Sequence, residues 1–475
     1  IINTKQERNN MAFSEFLDGR RNAAKELVKE LGNSFSYVSV LGTDVRASLY
    51  TADFKSSNAR DGAGECGFAL RMWNGGAYFE YSLDDISGNI RDLAKKIVKE
   101  AVPSKTLTDK EIKPGEPLDE PLVQSFVREN DFDDYSDEER LAFCKKVRDM
   151  AKAKSDKVVN ATGYLQPFTV SKLFVSKNRE LDQYYGWVNA MVIAIYNDGK
   201  IVRAREDAYS TKIADVMAEL PTKIDALIAK AEKLAKAKPI KPGVYDVITD
   251  SSISGLIAHE AFGHGVEMDQ FVKDRALAKE YVGKYVASPV TNMRDGAAAV
   301  VSAASFFFDD EGVLAGDTQI IKDGVLVAGM CDNVSASQLG VIPTGNGRRE
   351  SYKRKAYTRM TNTFFEPGKD KLEDMIASVK RGYMLFETNN GMEDPKNWQI
   401  QCTAEYGIEI IDGKLTDNYV SPVVISGSVP ELLKSITMVS DGKEIIGAGM
   451  CGKGYKEWVR VTDGGPALKV RAKLA

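Results

Sequence analysis

Val244-Tyr245-Asp246-Val247-Ile248, then Ser251-Ser252-Ile253-Ser254-Gly255-Leu256-Ile257-Ala258, then His259-Glu260-Ala261-Phe262-Gly263-His264 follow one another almost without a break. The first piece alternates toward a short strand. The second puts Ile253, Leu256, Ile257 and Ala258 at helical spacing, with Ser251 or Ser252 as the N-cap. A strand therefore feeds a half-buried helix, a rigid place for a site. Late on that helix lie the only two histidines of a 475-residue chain. Histidine is the commonest metal ligand and the usual proton carrier near neutral pH. A carboxylate beside the first histidine is the pairing used by zinc hydrolases. The imidazoles hold the metal, and the carboxylate takes a proton from the attacking water.

The spacing constrains the local backbone. Histidines at i and i+4 share one face of a regular helix; here they stand at i and i+5. A regular helix would turn the second ring about 140° away from the first. A widened π-type turn would bring the two nearly above one another, and a helix ending just before His264 would also serve. Gly263 and Gly265 flank His264 and supply the freedom for either route. Two histidines at a helix end beside a solvated Glu260 is the plain alternative.

Catalytic zinc usually has three protein ligands. Glu267 and Asp269 are near in sequence, as ligands or as partners of the imidazoles. The cysteines offer another source. Cys66, Cys144, Cys331, Cys402 and Cys451 form no CxxC pair, and their odd number and scatter suit a reducing, cytoplasmic compartment. Four read as small buried apolar residues, Cys144 on an amphipathic helix and Cys66 and Cys402 in strand-like runs. Cys451 differs because Gly447-Ala448-Gly449-Met450-Cys451-Gly452-Lys453-Gly454 reads as a tight glycine-rich loop. It is either a thiolate near a metal, favoured by Lys453, or a free thiol buried in a turn.

Four segments taken in order, His259 to Asp269 (HEAFGHGVEMD), Thr344 to Ser351 (TGNGRRES), Arg359 to Thr363 (RMTNT) and Met450 to Lys453 (MCGK), resemble the TldD/PmbA family. Those proteins, once called modulators of DNA gyrase, are understood as zinc metallopeptidases. The resemblance is strongest from about Val244 onward. It continues more weakly over the first half, where Gly67-Phe68-Ala69-Leu70-Arg71 is similar to a family strand. It implies zinc ligands at His259, His264 and Cys451, with Glu260 as general base, in a TldD-type catalytic subunit. It also implies a dimer, either a homodimer or a heterodimer with an inactive paralogous subunit. One departure stands out. After the MCGK loop the family usually continues with a glutamine and a Val-Pro pair, whereas this chain reads Gly454-Tyr455-Lys456-Glu457-Trp458-Val459.

Composition narrows the remaining classes. Hydrophobic residues make up 43% of the chain, enough for an ample core, and the length predicts two or more domains. Net charge is −4, which gives no bulk electrostatic case for nucleic acid; the Lys223 to Lys241 stretch reads as a solvated face. No apolar run is long enough to cross a bilayer as a helix. Ile1 to Asn10 is polar, reading as an ordered tail or the remnant of a removed segment, and Met11 opens a helical pattern. Gly447, Gly449 and Gly452 give a lone G-x-G-x-x-G, but a strand-like run at Trp458 to Val461 follows where a dinucleotide site needs a helix.

The expected fold is α+β. An N-terminal domain over 1–240 combines an antiparallel sheet with helices; a strand-rich C-terminal domain over 241–475 carries the metal-site helix. Helices are expected over Ser14 to Leu31, Leu83 to Glu100, Asp137 to Lys154 (opened by a Ser136/Glu139 capping box) and Ile213 to Ala237. Strands are expected at Tyr37 to Tyr50 and Cys66 to Ser82, the latter turned at Asn74-Gly75. Val158 to Tyr209 should form hairpins turned at Lys177-Asn178 and Asn197-Asp198-Gly199. The Lys/Pro/Gly stretch around Pro239 and Pro242 marks the domain boundary. Further strands are expected at Val300 to Phe308, Gly324 to Met330, Ile408 to Ile411 and Val423 to Ile425.

Taken together, the sequence predicts a zinc-dependent peptidase for unfolded or small extended peptides, which add to a sheet edge. Tyr352, Tyr357 and Arg359 are candidate oxyanion donors and substrate contacts. Thr344 to Glu350 reads either as an anion nest gripping a peptide carboxylate or backbone, or as a glycine turn whose arginines pair with nearby carboxylates. The alternatives are a deformylase-like zinc amidase, told apart by its product, and a non-catalytic partner-binding protein with a structural metal, told apart by indifference to Glu260.

Overall fold

The computed structural model describes residues 13–102, 115, 117–442, 444–454 and 457–475. Ile1 to Asn10, Met11, Tyr455 and Lys456 lie outside the described residues. The architecture is α+β, with a strand-rich C-terminal region.

The first half is built on one large sheet. Its strands are β1 (Tyr37–Ala52), β2 (Ser57–Asp61), β3 (Glu65–Trp73), β4 (Tyr78–Leu83), β5 (Leu122–Val127), β6 (Val158–Ser176), β7 (Arg179–Asn197) and β8 (Ile201–Ser210). The spatial order is β4-β3-β1-β6-β7-β5, with β2 beside β1 and β8 beside β7. Every pairing is antiparallel except β5 with β7. The short Lys177-Asn178 connection joins β6 to β7, as the turn signal predicts.

Helix α1 (Glu15–Leu31) starts where Ser14 accepts the Leu17 amide, and it buries Leu17, Ala24, Leu27 and Leu31 on the sheet. Helix α2 spans Ile90–Glu100. It begins later than expected because Leu83 ends β4 and Asn89 caps the helix by accepting from Arg91 and Asp92. Helix α3 (Asp137–Lys154) carries the reciprocal Ser136/Glu139 box. The expected single helix from Ile213 is two, α4 (Ile213–Glu219) and α5 (Ile224–Lys236), parted by a tighter turn holding Pro221.

The second half holds the remaining strands: β9 (Gly243–Thr249), β10 (Met293–Asp295), β11 (Thr318–Lys322), β12 (Val325–Leu326), β13 (Gly347–Arg348), β14 (Tyr357–Thr358), β15 (Asn362–Phe365), β16 (Arg381–Asp394), β17 (Gln399–Ile411), β18 (Lys414–Val420), β19 (Val423–Ser428), β20 (Met438–Val439), β21 (Glu444–Lys453), β22 (Glu457–Gly465) and β23 (Leu468–Leu474). One sheet runs β16-β9-β23-β19-β17-β18, and pairing of β16 with β17 closes five of these strands into a ring. Another runs β12-β11-β10-β15-β22-β21, leaving β21 at its edge.

Two expected strands differ. Val300 to Phe308 is not a strand, since other groups satisfy its backbone: Gln183 Oε1 accepts from the Phe307 and Phe308 amides, and Gln183 Nε2 donates to the Phe308 carbonyl. Its phenylalanines instead fasten the two halves; Phe308 packs with Leu41, Phe174 and Leu181. Within Gly324 to Met330 only Val325–Leu326 is strand.

Candidate metal centre

Strand β9 delivers the chain into helix α6 (Ser251–Leu256). The N-cap is Asp250 rather than Ser251 or Ser252, because its carboxylate reaches both ways. One oxygen accepts from the Ile253 amide at 2.8 Å, the other from the Glu387 amide of β16 at 2.9 Å. Gly255 lets the helix lie directly on β22: a Cβ there would stand 2.4 Å from the Gly464 nitrogen.

The helix then widens. Ile257–Gly263 is π-helical, and the His264 amide donates to the His259 carbonyl, a bond across five residues. The two imidazoles consequently come together, with ring centroids 5.1 Å apart and planes at 87°. This is the widened turn that the i, i+5 spacing demands. Gly263 sits where a Cβ would lie 2.2 Å from the Met360 sulfur, so this backbone also packs closely against its neighbours.

Cys451 arrives from the far end of the chain. It sits in edge strand β21 rather than in a loop, since the glycine-rich run pairs with β22, Cys451 opposite Val459. Its Sγ lies 3.6 Å from His264 Nε2. One donor atom from each of His259, His264 and Cys451 falls within 4.8 Å of the others. His259 and Cys451 are only 3% and 4% exposed, and His259 Nδ1 is buried without a hydrogen-bond partner among the described residues. Two imidazoles and a thiol, one with an orphaned nitrogen, form a donor set that fits a borderline-soft dication such as zinc.

The electrostatics agree. Burial opposes ionisation of Cys451, but His264 and His259 outweigh it and hold the thiol well below its ordinary value. Burial also works against the charged form of His264, and Cys451 and Glu267 prevail, holding it well above the usual imidazole range. Cys144, Cys331 and Cys402 are buried, and burial pushes each thiol up to about 12. Cys66 corrects the expectation of burial; it is exposed.

Glu260 stands at the rim, its Oε2 3.7 Å from His264 Nε2 and its side chain 18% exposed. Burial raises its carboxyl above the ordinary value. Gly391 of β16 makes room for it: a Cβ there would lie 2.6 Å from Glu260 Cγ. Glu267 and Asp269 stand behind the donors. Glu267 Oε2 lies 3.2 Å from His264 Nδ1 and accepts from Lys453 Nζ at 3.0 Å. Asp269 accepts from Lys453 and Lys273. A Glu267 contact at Nδ1 orients the imidazole with Nε2 toward Cys451.

Sequence reasoning missed Glu393 and Asp463. Glu393 Oε2 accepts the Gly265 amide at 2.9 Å, and burial raises its carboxyl well above the usual range. Burial pushes Asp463 up to about 6 beside His259 and Glu260. Both come from strands remote in sequence, so no local pattern marks them.

Of the three candidate donors, Arg359 reaches a candidate ligand residue through that residue's backbone carbonyl, while Tyr352 and Tyr357 contact other groups. Arg359 is fully buried and donates to the Cys451 carbonyl at 2.7 Å and the Glu457 carbonyl at 3.1 Å, clamping the β21–β22 hairpin. Tyr352 donates to Asp84 and packs on Gly67 in the first half. Tyr357 lies near Gly454, its phenol pushed up to about 12 by burial and Glu457. In the glycine turn before them, Arg349 pairs with Glu80, while Arg348 donates to the Met360 carbonyl.

Residues 242–473 match the family described as the PmbA/TldA metallopeptidase C-terminal domain. A metalloprotease TldD homolog of Haemophilus influenzae is 36% identical over 229 residues, 48% of this chain and 47% of that protein. Residues 242–473 of the chain belong to the TldD/PmbA family. A metalloprotease of Synechocystis is 28% identical over 75% of this chain and 77% of its own length. The match to the Haemophilus relative spans about half of that protein's length. Two crystal structures share the fold at 19% identity: a modulator of a DNA gyrase from Thermotoga maritima (TM-score 0.77, covering 98% of this chain and all of the other) and TldE from Thermococcus kodakarensis (TM-score 0.73, 95% and all). Among the described residues, no helix is long and apolar enough to cross a membrane.

Proposed function

We propose that this chain is a zinc-dependent peptidase of the TldD type, with zinc held by His259, His264 and Cys451 and Glu260 as general base. The observation that carries the reading is the π-turn convergence of both imidazoles on a buried, acidified thiol with Glu260 at the rim. A relative from Saccharolobus solfataricus named as a zinc metalloprotease, 27% identical over 63% of this chain, supports the choice of metal. Bound zinc supplies Lewis acidity, lowering the pKa of water to near neutrality and stabilising charge on a carbonyl oxygen. Glu260 takes the proton of the attacking water and returns it to the leaving amine. Glu267 holds His264 in one tautomer, and Lys453 balances the negative charge of Glu267 and Asp269.

Edge strand β21 supports an extended peptide as substrate, paired to the sheet through its backbone. The family resemblance implies a dimer, either with itself or with an inactive paralogous subunit. Five free cysteines support a cytoplasmic location. The test is Glu260→Gln. It should keep zinc and lose hydrolysis of an unfolded peptide by about 100-fold or more. Full activity in that variant would refute the assignment, and loss of the peptide bond rather than of an N-terminal acyl group separates the reading from a deformylase-like amidase.

A further inference from the structure

The β21–β22 hairpin has two faces. Cys451 and Lys453 share the face toward the π-helix with Val459 and Val461, while Met450, Gly452, Trp458 and Arg460 alternate to the other. Against that second face lies a groove of about 390 Å³, walled on its far side by the large sheet of the first half. Phe168 and Trp187 stack there at 4.3 Å, and the Arg460 guanidinium lies 4.0 Å over Trp187. Met450 and Trp458 are large apolar side chains left 50% and 45% exposed at the groove.

We propose that this groove receives large aromatic or aliphatic side chains of an extended peptide laid along the outer edge of β21, so that the protein selects alternate residues of its substrate. The proposal rests on the peptidase reading. Three observations lead to this occupant. Among the described residues, β21 pairs only with β22, so its other edge carries no strand. Side chains of an added strand alternate as those of β21 do. One set therefore faces His259 and His264, and the other faces the groove. Met450 adjoins Cys451 in β21, so the groove and the donor cluster lie on opposite faces of one strand at neighbouring residues. The chemistry of the lining then sets the class of side chain. Stacked rings, a thioether and a guanidinium flattened on an indole favour aromatic and large aliphatic groups. Burial has already lowered Arg460 to about 10, so covering it with an aromatic ring costs little further hydration.

The experiment uses the full chain carrying Glu260→Gln, loaded with zinc, and fluorescein-labelled unstructured peptides read by anisotropy. One peptide has phenylalanine at alternate positions; the other has alanine throughout. The phenylalanine peptide should bind about tenfold more tightly. Met450→Glu, at an exposed position, and Trp458→Ala should each shrink that preference to about threefold or less, with zinc content and alanine-peptide binding unchanged. Equal affinity for the two peptides, or equal weakening of both by Met450→Glu, would overturn the proposal. Wild-type protein that cleaves neither peptide while the binding preference persists would remove the peptidase reading and leave the groove standing. Cleavage without any preference would do the reverse.

Discussion

Replacing Glu267 with glutamine removes one charge from behind the donor cluster and changes almost nothing else in shape. The side chain is fully buried, with Oε2 shared between His264 Nδ1 at 3.2 Å and Lys453 Nζ at 3.0 Å. Glutamine keeps a carbonyl oxygen for one of these contacts and loses the charge that favours an Nδ1–H tautomer. Breaking a buried ion pair outright costs about 3–5 kcal/mol. Here Lys453 keeps Asp269 at 2.7 Å and the Thr358 carbonyl at 2.9 Å, so the loss in fold stability should be nearer 1–3 kcal/mol, about that of a charged hydrogen bond. Zinc affinity should fall by about 10- to 100-fold, or roughly 1.4–2.7 kcal/mol. Competition with a chelator of known affinity reads the second quantity, and melting of the metal-free protein reads the first. Zinc affinity unchanged within about twofold would refute the idea that Glu267 orients a ligand.

Two other perturbations separate the parts of the site. Gly391→Ala puts a methyl group 2.6 Å from Glu260 Cγ; peptide kcat/KM should drop by about tenfold or more with zinc content intact, and unchanged kcat/KM would show that Glu260 acts from elsewhere. Away from the site, burial pushes the Glu65 carboxyl from 4.5 up to about 7, against Lys172 and with Asp310 and Glu350 nearby. A raised acid holds its proton in the folded state after the unfolded chain has released it, so its contribution to stability falls as pH rises from 4.5 to about 7. Denaturant melts across that window should show a shallower decline for Glu65→Gln than for wild type; parallel curves would count against a buried, protonated Glu65.

What the sequence carries and what it hides follow from distance along the chain. Caps and short turns act over three or four residues, and so the Ser136/Glu139 box and the Lys177-Asn178 turn are legible. The π-turn is legible too, because two histidines five apart can face each other on few backbones. Val300 to Phe308 misleads: its apolar run has the composition of a strand, yet Gln183 from the other half satisfies its backbone. Glycines around Cys451 suggest a loop, but in β21 they leave an edge strand with little side-chain cover. The convergence of Cys451 with histidines nearly two hundred positions earlier is a property of the packed sheet; the family resemblance supplies it, and local pattern does not.

Metal content by elemental analysis, on wild type and Cys451→Ser side by side, tests the central claim most directly. The account predicts about one zinc per chain in wild type and a marked loss in the variant, together with loss of peptide cleavage. Full zinc occupancy in Cys451→Ser, or no zinc in wild type after reconstitution, would contradict it.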